Sequence, residues 1–128
     1  MSHFVKNKIE GMNDTQCVAD ALKAEGITAE VGQSLELKGW GSQKSHVQVR
    51  IPKGSKAGNR YDAGFVKDAA GNLSLVKESM DYALNKDWMN KVKQQYTRQQ
   101  ALKLARAKGL KLAREVRVGN KIQMVFNQ

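Results

Sequence analysis

The chain has 128 residues, 22 Lys or Arg against 12 Asp or Glu for a net charge of +10, and 41% hydrophobic residues. That length fits one domain with a real core, and no apolar run approaches the roughly 18 residues of a membrane span or forms an apolar leader. One cysteine, Cys17, cannot form an internal disulfide, so a soluble protein of a reducing, cytoplasm-like compartment is expected.

The opening stretch, His3 to Glu10, alternates Val5 and Ile9 with Phe4, Lys6 and Lys8, as a strand does. Asn13, Asp14 and Thr15 then offer capping oxygens, and Val18, Ala21 and Leu22 recur at helical spacing. A helix is expected from about Asp14 to Glu25, ended by Gly26 in the left-handed conformation. Leu35 and Leu37 alternate with polar neighbours before Gly39-Trp40-Gly41 breaks the run. Val47, Val49 and Ile51 give the clearest strand pattern. Pro52 to Asn59 reads as an exposed loop. Tyr61 to Lys67 and Leu73 to Lys77 flank Asp68 to Asn72, a short hairpin connection.

After Ser79 the period becomes helical. Trp88, Val92 and Tyr96 share a face with Met89 alongside, but Lys103 and Arg106 come round onto the same stripe. Thr97 and Gln100 have capping-box spacing. The pattern fits either two consecutive helices breaking near Thr97 or one helix that leaves the body of the domain there. Gly109 ends the helical region. Val116, Val118, Ile122, Met124 and Phe126 then form a terminal hairpin turning at Gly119-Asn120. The order β-α-β-β-β-β-α(α)-β-β implies an α+β domain, an antiparallel sheet of about five to seven strands with helices on one face.

Charge is distributed unevenly along this order. The first 50 residues hold six bases and six acids, and residues 51–90 hold six and five. From Lys91 onward there are Lys91, Lys93, Arg98, Lys103, Arg106, Lys108, Lys111, Arg114, Arg117 and Lys121 against the single acid Glu115. A field of that kind attracts polyanions to one end of a molecule.

Several segments carry a resemblance: Met1-Ser2-His3-Phe4, Tyr61-Asp62-Ala63-Gly64-Phe65, Gln95-Tyr96 and Gly109. Together, in this order, they resemble the small proteins of plastid open reading frame 35, found in algal plastids and cyanobacteria with relatives in tailed phages. The resemblance implies a compact α+β domain and a stromal, cytoplasmic or phage-infected host setting. It implies no activity, since that family is one of unknown function. The basic C-terminal third is not among its shared features and is read as an addition belonging to this member.

The bases support binding of nucleic acid, RNA or DNA and without sequence preference, chiefly through phosphates. The expected contacts are Lys91, Arg98, Lys103, Arg106, Lys108, Lys111, Arg114, Arg117 and Lys121. On a helical projection Lys91, Gln95, Arg98 and Leu102 cluster, and on the hairpin Lys111, Glu115 and Arg117 share a face that Lys121 and Gln123 join. Lys53, Lys56 and Arg60 would extend this patch only if the fold brings them near. Trp40, between two glycines, is either an exposed stacking residue or a ring folded onto the sheet edge. The alternative partner is an acidic surface of a larger protein complex, and no membrane is implicated. Neither a zinc-finger nor an RNA-binding motif appears, and Gly54 to Gly58 lacks the phosphate-loop pattern. His3 and His46 are the only histidines and have no metal-ligand spacing. His3 and Asp62 would meet only if their strands were neighbours, as a structural or an acid–base pair. A non-enzymatic protein without metal or cofactor is the expectation.

Overall fold

The computed structural model describes residues 2–119 and 121–128. In chain order it holds β1 (Phe4–Lys8), α1 (Thr15–Ala24), β2 (Glu30–Lys38), β3 (Lys44–Ile51), β4 (Ala63–Lys67), β5 (Leu73–Glu78), α2 (Lys86–Ala107), β6 (Lys111–Val118) and β7 (Lys121–Asn127). Five strands form an antiparallel sheet in the order β1-β5-β4-β3-β2, and β6 and β7 pair as a second, two-stranded sheet. The fold is α+β in the expected order.

The main core lies between the sheet and the helices. Asp14 caps α1, its Oδ1 accepting from the Cys17 N–H at 3.1 Å, and the apolar spacing buries Cys17, Val18, Ala21 and Leu22. These pack with Val49, Ile51, Phe65, Leu73 and Leu75 of the sheet and Val92 and Tyr96 of α2. Cys17 therefore sits in the core as a small apolar group, and burial, reinforced by the Asp14 carboxylate, pushes its thiol pKa up. That is the opposite of what a reactive cysteine needs.

The sheet's β2–β3 arm curls back over β1 and β5. A register irregularity between Val31 and Leu35 bends β2, and Leu37, Val47 and Val76 form a smaller core with Phe4, Leu35 and Val66. At its tip, Gln43 Oε1 accepts from the Phe4 N–H and Gln43 Nε2 donates to the Ser2 carbonyl. Glu78 is fully buried beneath this tip, accepting from Ser2 Oγ at 2.5 Å and from the Trp40 N–H at 2.7 Å. Gly39 is required here, because a Cβ would overlap the Glu78 carboxylate and the Phe4 ring.

Three segments differ from expectation. β2 begins at Glu30, since Glu30, Val31, Gln33 and Ser34 form an edge strand held by its ladder to β3 without an apolar alternation. The Pro52–Asn59 loop is tied down rather than wholly exposed: Asn59 is buried, and its Nδ2 donates to the carbonyls of Ile51, Pro52 and Tyr61. The late helix is continuous. It starts where Asn85 Oδ1 accepts from the Trp88 N–H, and Thr97 donates to the Lys93 carbonyl one turn back instead of capping a second helix.

Candidate nucleic-acid interface

Two faces of α2 do different work. Toward α1 it buries Val92, Gln95 and Tyr96. The Tyr96 hydroxyl accepts from the backbone N–H groups of Asn13 and Asp14, both at 3.1 Å, and Lys103 Nζ meets Asp14 Oδ2 at 2.5 Å. The helix therefore stays on the domain beyond Tyr96 rather than leaving it. Gln95 belongs to this side, donating to Glu25, and not to the cluster with Lys91 and Arg98 that its spacing suggested.

The opposite face carries the hairpin. Gly109, at φ +70°, closes α2 and lets the chain turn into β6. An irregularity between Leu112 and Arg114 then shifts the side-chain alternation by one. In consequence Leu112, Glu115 and Arg117 stand on the same side as Ile122, Met124 and Phe126, facing α2. Lys111, Arg114, Val116 and Val118 stand on the outer side with Lys121, Gln123 and Val125, and Lys121 borders the groove only at the hairpin turn. The expected joint face of Lys111, Glu115, Arg117, Lys121 and Gln123 is thus divided. The bulge moves Lys111 to the outer side, and the register puts Gln123 opposite Val116 and Lys121 opposite Val118. The turn at Gly119 has φ +61°; its expected second residue, Asn120, lies outside the described residues.

Between α2 and the hairpin runs an open groove of about 940 Å³. Its floor is apolar, from Ile122, Met124 and Phe126 on β7, and Lys91, Lys93, Arg98 and Lys121 line it. Asp87 is the one carboxylate among the described lining residues. Arg98 holds Glu115 at two points, Nε–Oε1 2.6 Å and Nη2–Oε2 3.1 Å. This contact holds the Glu115 carboxyl below the usual range and raises the Arg98 pKa. Lys103 likewise holds Asp14 low and is itself raised.

The fold therefore sorts the expected contacts. Lys91, Lys93 and Arg98 line the groove from α2, and Lys121, across the ladder from Val118, borders it at the hairpin turn. Arg117 lies on the side of the hairpin that faces α2, whereas Lys111 and Arg114 lie on its outer side. Arg106 and Lys108 stand at the end of α2, exposed. Lys103 is engaged with α1. Trp40 is 44% exposed at the β2–β3 tip, but the hydrogen bonds of that loop go to Ser2, Phe4 and Glu78, not to α2 or the hairpin. Lys56 lies against Gly26 at the end of α1. The residues not foreseen are the floor positions Ile122, Met124 and Phe126; their alternation was legible as a strand, but not what they would face.

His3 and Asp62 do not meet. β5 lies between their strands, about 10 Å of separation at the usual strand spacing. His3 is exposed, while buried Asp62 accepts from the N–H groups of Lys38 and Lys53, with Arg50 Nε at 3.8 Å. His46 is exposed on β3. Among the described residues no three His, Cys, Asp or Glu gather as metal ligands do, and no helix is long and apolar enough to cross a membrane.

A family model described as "Protein of unknown function (DUF1257)" matches residues 21–125. No curated protein and no solved structure matches the chain. The matched span includes all of α2 and β6 and reaches Val125 in β7. The elements that carry the charge are therefore part of the family domain, not an extension added to it.

Proposed function

The chain belongs to this family of proteins of unknown function, and from that premise we propose that it is a non-enzymatic nucleic-acid-binding protein. It contacts RNA or DNA mainly through backbone phosphates, using α2 and the β6–β7 hairpin. The observation that carries this reading is that Lys91, Lys93 and Arg98 line one groove, with Lys121 at its rim. Of the ten late cations, only Arg98 and Lys103 are ion-paired among the described residues. Cations without carboxylate partners are available to displace the counterions of a phosphate chain. Sequence readout is not part of the proposal, because the sequence carries no zinc-finger or RNA-binding motif. The setting is taken to be cytoplasmic in type, whether plastid stroma, cytoplasm or a phage-infected cell, as the likeness to the plastid open reading frame 35 proteins implies.

The test is a titration of mixed RNA and DNA at rising salt. A footprint of three to four phosphates gives a log–log slope of about −2 to −4. Neutralising Lys91, Lys93 and Lys121 together lowers both the affinity and the slope. Absence of binding at low salt, or binding indifferent to these three lysines, overturns the reading.

A second reading, docking on an acidic protein surface, is favoured by one observation. The outer side of the hairpin exposes Val116, Val118 and Val125 beside Lys111 and Arg114, and apolar groups flanked by cations fit a protein interface. Partners that stay bound after nuclease treatment, and are lost on Val118→Asp, favour it over the first.

A further inference from the structure

We infer that the groove between α2 and the hairpin holds the bases of a single strand, so that the nucleic acid bound is single-stranded rather than duplex; this rests on the phosphate-binding reading above. Phosphate binding alone asks only for exposed cations. This site adds an apolar floor of Ile122, Met124 and Phe126, each half-buried and open to the groove. Alternate residues of a strand lie about 7 Å apart, so the floor extends for roughly 13 Å. That is long enough for a short run of bases. A duplex keeps its base faces stacked inside and offers a surface of phosphate and sugar, which leaves such a floor without a partner. A single strand presents both halves of the match: flat base faces for Phe126 and Met124, and phosphates for Lys91, Lys93 and Lys121. An acidic peptide satisfies the lysines but sets carboxylates against the apolar floor, at a desolvation cost. Arg98 is held by Glu115, so it fixes the groove's width more than it adds free charge.

The experiment measures fluorescence anisotropy of labelled oligonucleotides of one length: single-stranded RNA, single-stranded DNA, a duplex, and a base-free sugar–phosphate strand. The expected result is that base-bearing single strands bind about tenfold or more tighter than the duplex and the base-free strand, as loss of stacked bases implies. Phe126→Ala removes most of the advantage of base-bearing over base-free strands. Equal affinity for base-bearing and base-free strands overturns the inference while leaving phosphate binding intact. Failure of all four probes at low salt removes both. The base-free strand needs no variant, so the result stands even if Phe126→Ala loosens the hairpin.

Discussion

Arg98 on α2 and Glu115 on β6 face each other as a two-point ion pair, at 2.6 and 3.1 Å. Glu115 is the only acid from Lys91 to the end of the chain. The one negative charge in the basic segment therefore ties the hairpin to the helix, and it does so beside the groove. A two-stranded sheet is marginal alone, and this pair ties β6–β7 to α2.

Acid loosens that anchor. Glu115 has a folded pKa below its ordinary value, so its contribution is complete above the ordinary carboxylate range, about pH 4.3, and is lost as pH falls through the lower folded value. Amide exchange of β6 and β7, followed by NMR, is expected to accelerate over that range before the five-strand sheet responds. Glu115→Gln reproduces the loosening at neutral pH, by about 0.5–1 kcal/mol. Hairpin exchange independent of both changes would refute the anchoring role.

Lys103 and Lys91 separate structure from binding. Lys103 meets Asp14 at the cap of α1, whereas Lys91 borders the groove. Lys103→Gln is expected to lower the melting temperature slightly and to leave the affinity for single-stranded RNA within twofold. Lys91→Gln should leave melting unchanged and weaken binding several-fold, most at low salt. Calorimetry and anisotropy on the same two variants decide; the reverse pattern places the interface on the α1 side.

Tyr96 is the main polar link between the helices. Its hydroxyl accepts from two backbone N–H groups and from Gln100, and donates to Asn13 Oδ1. Tyr96→Phe leaves those N–H groups without their acceptor, at a cost of about 1–2 kcal/mol. Urea denaturation should show a lower midpoint with an unchanged slope.

Gly39→Ala tests the curled arm. The added methyl overlaps the Glu78 carboxylate and the Phe4 ring, which predicts a loss of about 1–3 kcal/mol from overpacking. Gly41→Ala, in open space but at φ +66°, is expected to cost less, about 1 kcal/mol. Equal losses at the two positions contradict the close approach at Gly39.

Much of this protein is readable along the chain because it is local. The α1 cap at Asp14, the strand alternation of Val47 to Ile51 and the helical period from Trp88 to Tyr96 depend on neighbours a few residues away. So does the charge of the last 38 residues, since it is a matter of composition. Other features depend on pairing across long separations. Lys103 looked like a phosphate contact until Asp14, 89 residues away, came beside it. Lys111 lost its expected face to one extra residue in β6, which no periodicity announced. The groove itself exists because β7 lays Ile122, Met124 and Phe126 against the helix face bearing Lys91 and Arg98. Local chemistry determined which elements form and which one is charged. Tertiary packing decided which charges are engaged, which are free, and where an apolar surface lies among them, because each of those is set by the partner that folding brings near.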